Sequence, residues 1–186
     1  MFEIIYADPP WQYKNSESLA KVSILDGKLP GQQHYPTMSK KELLGLEVGS
    51  IAAQDSLLFL WVVSPMLDDG IDLMKAWGFK FGTVAFVWDK VNPNPGYYTM
   101  SQVELCLVGK RGRIPSPRGA RNIRQFVQEK KGKHSSKPAE VRDRISKMFP
   151  TQTKVELFSR GVTDGWESFG NHLTGNDISL DLQSML

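Results

Sequence analysis

A single cysteine, Cys106, is all the thiol chemistry in this chain of 186 residues. It allows no internal disulfide, and its place in the apolar run VELCLVG reads as packing rather than as a nucleophile. The three histidines, His34, His134 and His172, are far apart, and no Cys/His cluster has zinc-ligand spacing. The longest apolar run is LLFLWVV, too short to span a bilayer. The N-terminus shows no basic stretch leading into an apolar one, the pattern of a secretion signal. Internal repeats and low-complexity tracts are missing as well. These absences point away from membrane and disulfide-stapled classes, toward a soluble protein in the reducing cytoplasm.

What is present suits one globular domain. The hydrophobic share of 40% and the charged share of 23% are ordinary, and the length supports a sizeable core. Apolar runs rich in β-formers fall at residues 3–7, 57–63, 83–88, 103–108 and 154–158. They are continuous rather than alternating, as in strands covered on both faces. Helical stretches lie between several of them. SKKELLGLEVGSIAAQ opens with Ser39 and Glu42 at capping-box spacing. MLDDGIDLMKAW carries Leu67, Ile71 and Met74 on one face, with Gly78 as a stop. KPAEVRDRISKMF has Pro138 in its first turn. Strands alternating with helices predict an α/β fold with a largely parallel central sheet. Residues 12–37, 91–101 and 111–136 read as loops, and the last stretch, 175–186, as a short helix or a loose tail.

The net charge of +3 conceals an asymmetry. Residues 110–133 hold nine Lys/Arg and one acid, so this segment carries +8 and the remainder −5. A segment of this kind is either a solvated loop or a phosphate-binding surface. Arg118, Arg121 and Arg124 are its candidate phosphate contacts.

The most informative stretch is the first, MFEIIYADPPWQYKN. Asp8 ends an apolar strand, where ligands bind in doubly wound sheets. Pro9 and Pro10 fix φ and stiffen the turn that leaves the strand. Trp11 sets a flat ring beside the carboxylate. An exocyclic aromatic amine is a poor nucleophile because its lone pair is delocalised into the ring. Asp8 and the Pro9 carbonyl, accepting its two N–H bonds, would localise that lone pair. Trp11 would stack on the ring, a contact worth roughly 1–3 kcal/mol per base. An isolated Asp-Pro-Pro is also compatible with an ordinary turn, and Trp11 with a core anchor.

ADPPW resembles the catalytic motif of the MT-A70 family of adenine-N6 methyltransferases. HYPTMSKKELLGL, SLLFLWV, AWGFKF, FVWDK, GYYT, ELCLVGKRG, HSSKP, KVELFSR and GWESFGN come next in the family's order, so the resemblance covers residues 3–173. It implies a methyltransferase domain over 1–174 with a Rossmann-like fold: a parallel sheet with helices on both faces, and the catalytic motif ahead of the cofactor motif. It also implies S-adenosyl-L-methionine as the donor. Asp8, Pro9, Pro10 and Trp11 match the catalytic positions. Asp8, Lys137, Phe158, Arg160, Asn171 and His172 match the cofactor positions, Lys137 pairing with the donor's carboxylate and Asn171 with its ribose. Glu156 is a further candidate on the same strand. Tyr13 and Asn15 are expected to line the base pocket with Trp11, and His34 and Tyr35 to sit at the entrance, in a segment acting as a lid. Two departures stand out: His172 replaces the usual Glu or Gln, and Met100 stands where the family commonly has arginine after GYxT.

The implied activity is methylation of the N6 amine of adenine in DNA, with no metal and no membrane involved. The chain lacks an appended RNA-binding module and is similar to the stand-alone bacterial and phage DNA-modifying members. That places it in a bacterial cytoplasm, or in that of a host cell. RNA is the alternative substrate, and a non-catalytic nucleic-acid-binding scaffold is the rival class. The oligomeric state, monomer or homodimer, stays open.

Overall fold

The apolar runs assemble into one seven-stranded sheet. In the computed structural model, residues 1–12, 37–96, 98–132 and 136–186 are described. The strands are β1 (Phe2–Ala7), β2 (Ala52–Val63), β3 (Lys80–Asn94), β4 (Ser101–Arg111), β5 (Phe126–Gln128), β6 (Lys154–Leu157) and β7 (Glu167–Phe169). Their spatial order is β5-β3-β4-β2-β1-β6-β7. β1 pairs in parallel with β2 and β6, β3 with β5, and β6 with β7, while β4 runs against both its neighbours. The expected α/β architecture is therefore present. β5 and β7 are strands that the sequence pattern does not announce: each is three residues long, too short for a period to register.

Alternate residues of the central strands serve two cores. Ile5, Leu58 and Leu60 pack with Leu43, Leu73, Met74 and Leu182 on one face. Ile4, Tyr6, Phe59 and Trp61 pack with Val141, Ile145 and Phe149 on the other. The helices are α1 (Lys40–Leu44), α2 (Val48–Ile51), α3 (Leu67–Ala76), α4 (Ala139–Met148), α5 (Asn171–Thr174) and α6 (Ile178–Ser184), and each except α5 buries side chains in these cores. Burial on both sides explains why the strand runs lack polar alternation. Cys106 is fully buried in the second core, where burial pushes its thiol pKa well up. It packs, as its apolar run predicts.

Local signals fix the helix ends. Ser39 Oγ accepts from the Glu42 N–H, and the Glu42 carboxylate accepts from the Ser39 N–H at 2.7 Å, closing the capping box. The helix it starts stops at Gly45 rather than running on to residue 54. α2 is a separate turn, and Ala52 already pairs with Phe2 as the start of β2. Two glycines, Gly45 and Gly49, weaken the longer helix, and strand pairing takes its end. Gly78 ends α3 with φ +86, as expected. Pro138 is the N-cap of α4, one place ahead of the first turn. Among the described residues, no helix is long and apolar enough to cross a membrane.

The C-terminal stretch is a packed helix rather than a loose end. Asp177 caps α6 by accepting from the Ser179 N–H at 2.9 Å. Ile178 and Leu182 join the first core. Leu182→Ala is therefore expected to destabilise the protein by about 2–4 kcal/mol, the cost of a buried cavity. Urea unfolding measures it; an unchanged midpoint would mean that the tail contributes nothing to the core.

Candidate functional site

β1 lies between β2 and β6, so the chain's connections leave it toward opposite sides of the sheet. In open α/β sheets such a switch point is where ligands bind, beyond the C-terminal ends of the strands. Ala7 pairs with Leu60 and Leu157 there, and Asp8 is the next residue. Pro9 is buried and Pro10 half-buried. The Pro9 carbonyl accepts from the Trp11 N–H at 2.9 Å, and the Pro10 carbonyl from the Met38 N–H at 2.8 Å. Gln12 donates to the Met38 carbonyl at 3.2 Å, so the residues on either side of 13–36 are tied together. Tyr13, Asn15, His34 and Tyr35 lie outside the described residues.

Asp8 is held by Lys137, whose Nζ lies 2.9 Å from both carboxylate oxygens. Lys137 directly precedes the N-cap of α4, so the helix start delivers it to the sheet edge. Its Nζ also pairs with Glu104 at 3.2 Å and stands 5.6 Å above the Trp61 ring. Glu104 in turn holds Lys90 at 3.3 Å. Burial alone would push the Lys137 ammonium pKa down; Asp8 and Glu104 together outweigh it and hold it above the usual lysine value. Lys137 thus stays charged beside Asp8. The two carboxylate oxygens offer about four lone-pair sites, so Asp8 can accept an N–H besides those of Lys137. The Pro9 carbonyl likewise keeps one lone pair.

Three adjoining cavities meet at this carboxylate, and Asp8 and Arg160 line all three. The largest, about 300 Å³, runs between the end of β6 and the two C-terminal helices. It brings together Asp8, Phe158, Arg160, Asn171 and His172, five of the six residues expected at the cofactor. A second, about 140 Å³, is walled by Pro9, Pro10, Trp11, Trp61, Glu104 and Lys137. A third, about 260 Å³, is lined by Lys137, Arg142, Glu156 and Phe158. Lys137 therefore lies across Asp8 from the Asn171 cavity rather than inside it. Phe158 has φ +62, a left-handed backbone rare for a bulky residue, as the chain bends off β6 at the site. Gly170 allows that bend, since a Cβ there would overlap the Ser159 carbonyl.

Trp11 is 7% exposed, and its indole N–H donates to the Trp61 carbonyl at 3.2 Å. Its ring is a fixed wall of the small cavity. Glu156 is buried and doubly bonded to Arg142 at 2.7 and 3.0 Å; burial pushes its carboxyl up despite that partner. Sequence reasoning missed Glu104, Lys90, Met38, Asn176 and Asp177. A signal existed for the first: a glutamate inside VELCLVG must be paired if buried.

The basic segment divides between the two edges of the sheet. Lys110 pairs with Leu57 and Lys80 at the edge away from Asp8. Arg118 stacks on Phe149 at 4.9 Å, and Ala120 bonds the Lys147 carbonyl at the end of α4. Arg118 and Arg121 thus sit by the far edge; Arg121 and Arg124 are exposed. Lys131 approaches Glu104 and Lys90 at the site edge, where burial and then Lys90 lower its pKa.

The MT-A70 family pattern matches residues 2–172. The chain belongs to the MT-A70 family. It is 44% identical to the Type II methyltransferase M.MunI of Mycoplasma sp over 98% of this chain and 82% of that protein. It is 31% identical to an N(6)-adenosine-methyltransferase MT-A70-like protein of Arabidopsis thaliana, and 27% to the human N(6)-adenosine-methyltransferase catalytic subunit METTL3. Those matches cover 94% of this chain but only 24% and 28% of the longer proteins. This MT-A70 protein is a methyltransferase.

The buried chain of charges should be sensitive to removal of its centre. Glu104→Ala leaves Lys90 and Lys137 less compensated in the interior and should cost about 3–5 kcal/mol at neutral pH. The raised Lys137 pKa stabilises the fold fully below the ordinary lysine value of 10.5. That contribution fades as pH rises through the higher folded value. Unfolding free energies at pH 7 and pH 11 should therefore differ less in Lys137→Met than in the wild type; equal differences would remove Lys137 from the alkaline response.

Proposed function

We propose that this MT-A70 protein transfers a methyl group from S-adenosyl-L-methionine to the N6 amine of adenine in DNA. The observation that carries the reading is Asp8: a carboxylate pinned by Lys137 on a proline-stiffened turn where three cavities meet. The cavity around Asn171 fits the donor, offering carboxamide, carboxylate and imidazole groups beside the apolar walls of Phe158, Met38 and Ile178. Asn171, Asp177 and Arg160 would hold the donor there, with Lys137 on the far side of Asp8 to meet its charged end. When bound, S-adenosyl-L-methionine supplies an electrophilic sulfonium methyl with a good leaving group.

The chain's own residues do the rest. Asp8 accepts one N–H of the amine, and the remaining lone pair of the Pro9 carbonyl accepts the other. Both acceptors favour a localised nitrogen lone pair and are fixed before the reaction, so no reorganisation is needed at the barrier. Pro10, Trp11 and Trp61 wall the small cavity and keep water from the nitrogen. Lys137 holds the carboxylate in place. Much of the acceleration comes from positioning.

DNA is favoured by near full-length similarity to a stand-alone Type II methyltransferase. RNA is the second reading, favoured by relatives named for N6-adenosine, a ribonucleoside. The setting is the bacterial cytoplasm. Tritium transfer from the donor to DNA and to RNA, with mapping of the modified base, separates the two. In that assay Asp8→Ala should lower transfer by about a hundred- to a thousandfold, the scale of losing a preorganised transition-state contact. Activity within a few-fold of wild type would sink the assignment. Asn171→Ala should weaken donor binding about three- to tenfold by calorimetry, the worth of one hydrogen bond. Unchanged affinity would return Asn171 to a turn residue.

A further inference from the structure

The hairpin joining β3 to β4 has no part in the reaction described so far. Its strands run on past the sheet at the edge that carries Asp8. Glu104, a wall of the small cavity, pairs with Val63 of β2 and Trp88 of β3 and so marks the level of the site. Residues 98–100 lie four to six positions before it in the chain, within roughly 20 Å at about 3.3 Å per residue. At this tip Tyr98 is 99% exposed and Met100 59%. Two large apolar side chains on a narrow tip contribute nothing to either core.

The tip is also aimed. Pairing is irregular between Asp89 and Asn94, and Val91 has φ +67, a strained conformation for a β-branched residue. Asp89 holds it there. Its carboxylate accepts from the Val91 N–H at 2.8 Å and from the side-chain amides of Gln102 at 2.8 Å and Gln128 at 2.7 Å. Irregularities of this kind bend a strand and redirect side chains beside active sites. Pro93 and Pro95 stiffen the arm beyond the bend. Gln128 ends β5, and the chain then presents Lys130 and Lys131, both exposed, beside the base of the hairpin. A stiff apolar point next to paired cations suits a nucleic-acid duplex: the lysines meet phosphates and the point meets the stack.

We infer that Tyr98 and Met100 form a wedge that enters the base stack and helps to expel the target adenine toward Asp8. The inference rests on the proposed reaction with nucleic acid, which requires the base to leave the duplex at a cost of a few kcal/mol. The wedge refills the stack as the base departs, with Tyr98 stacking and Met100 filling the gap. A phosphate clamp would change binding to every substrate alike. A wedge matters only where a paired base must be opened.

The test uses the full chain and an oligonucleotide carrying the mapped target adenine in three settings: paired with thymine, opposite an abasic site, and single-stranded. Tyr98→Ala should slow transfer to the paired target by about tenfold or more, from the stacking energy lost. It should change transfer to the other two by less than about threefold, and Tyr98→Phe should behave as wild type. With 2-aminopurine at the target, wild type should raise the fluorescence on binding and Tyr98→Ala should not. Unchanged donor affinity shows that the variant is folded. An equal loss on all three substrates would overturn the wedge, as would no loss on the paired one. Conversion of a dimer to a monomer by Tyr98→Ala in sedimentation would also overturn it, marking the tip as an interface between copies. Transfer by wild type to paired DNA with Tyr98→Ala unaffected removes the wedge and leaves the proposed function standing. A wild type that modifies no DNA in any setting removes both.

Discussion

The ion pair between Asp8 and Lys137 is the constraint on which the site depends. It joins two segments that are 129 positions apart, the end of β1 and the start of α4. Val141 and Ile145 already pack the helix against Ile4 and Tyr6 of β1, and the ion pair adds a polar anchor at the sheet edge. Two of the three cavities around Asp8, the small one and the one beside Glu156, take walls from both segments. The prolines after Asp8 and the proline after Lys137 remove backbone freedom on each side of the pair. A charge pair between two rigid anchors orients at little entropic cost, which is what a preorganised site needs.

The extension of that pair through Glu104 to Lys90 makes sense in the same terms. Buried charges rarely add stability over an apolar cluster of the same shape. Their value here is direction: Glu104 draws Lys137 against the face of Trp61 and keeps its ammonium from withdrawing to solvent. The same logic applies to backbone strain. Phe158 and Val91 both hold positive φ, and both stand where a strand leaves the sheet at the functional edge. Strain of this kind persists because the surroundings over-determine it, by Gly170 packed against the Ser159 backbone in one case and by the Asp89 hydrogen bonds in the other.

Much of this was legible in the sequence, for identifiable reasons. Continuous apolar runs announced β1, β2, β3, β4 and β6, because strands buried on both faces leave no room for polar alternation. The Ser39–Glu42 spacing announced the start of α1, because a capping box is local chemistry. Asp8, Phe158, Arg160, Asn171 and His172 line one cavity, because each lies within three residues of a strand end. The apolar run around Glu104 signals that it needs a partner, but its partners Lys137 and Lys90 are remote in sequence and only the fold makes them neighbours. β5 escaped for another reason: its three residues pair with β3 inside a segment whose charge suggests a loop. The arginines of that segment were expected to act as one patch. Charge counting cannot see that β5 carries the chain from one edge of the sheet to the other.

The direction of a single strand settles which loops reach the site. β1, β2 and β6 all end at the Asp8 edge, so the loops after them belong to it. β4 runs the opposite way. Its first residues, with Glu104, therefore arrive at the functional edge, and its last residues, Lys110 and Arg111, leave at the other. Two consequences are forced. The β3–β4 connection must turn at the Asp8 edge, which places a hairpin on the same side of the sheet as the small cavity. The basic segment must start at the far edge and return along β5, which leaves Arg118 and Arg121 behind and delivers Lys131. Had β4 been parallel, the arginines would crown the site and the hairpin would not exist. One antiparallel strand in an otherwise parallel framework thus assigns the aromatic tip to the Asp8 side of the sheet and most of the arginines to the other.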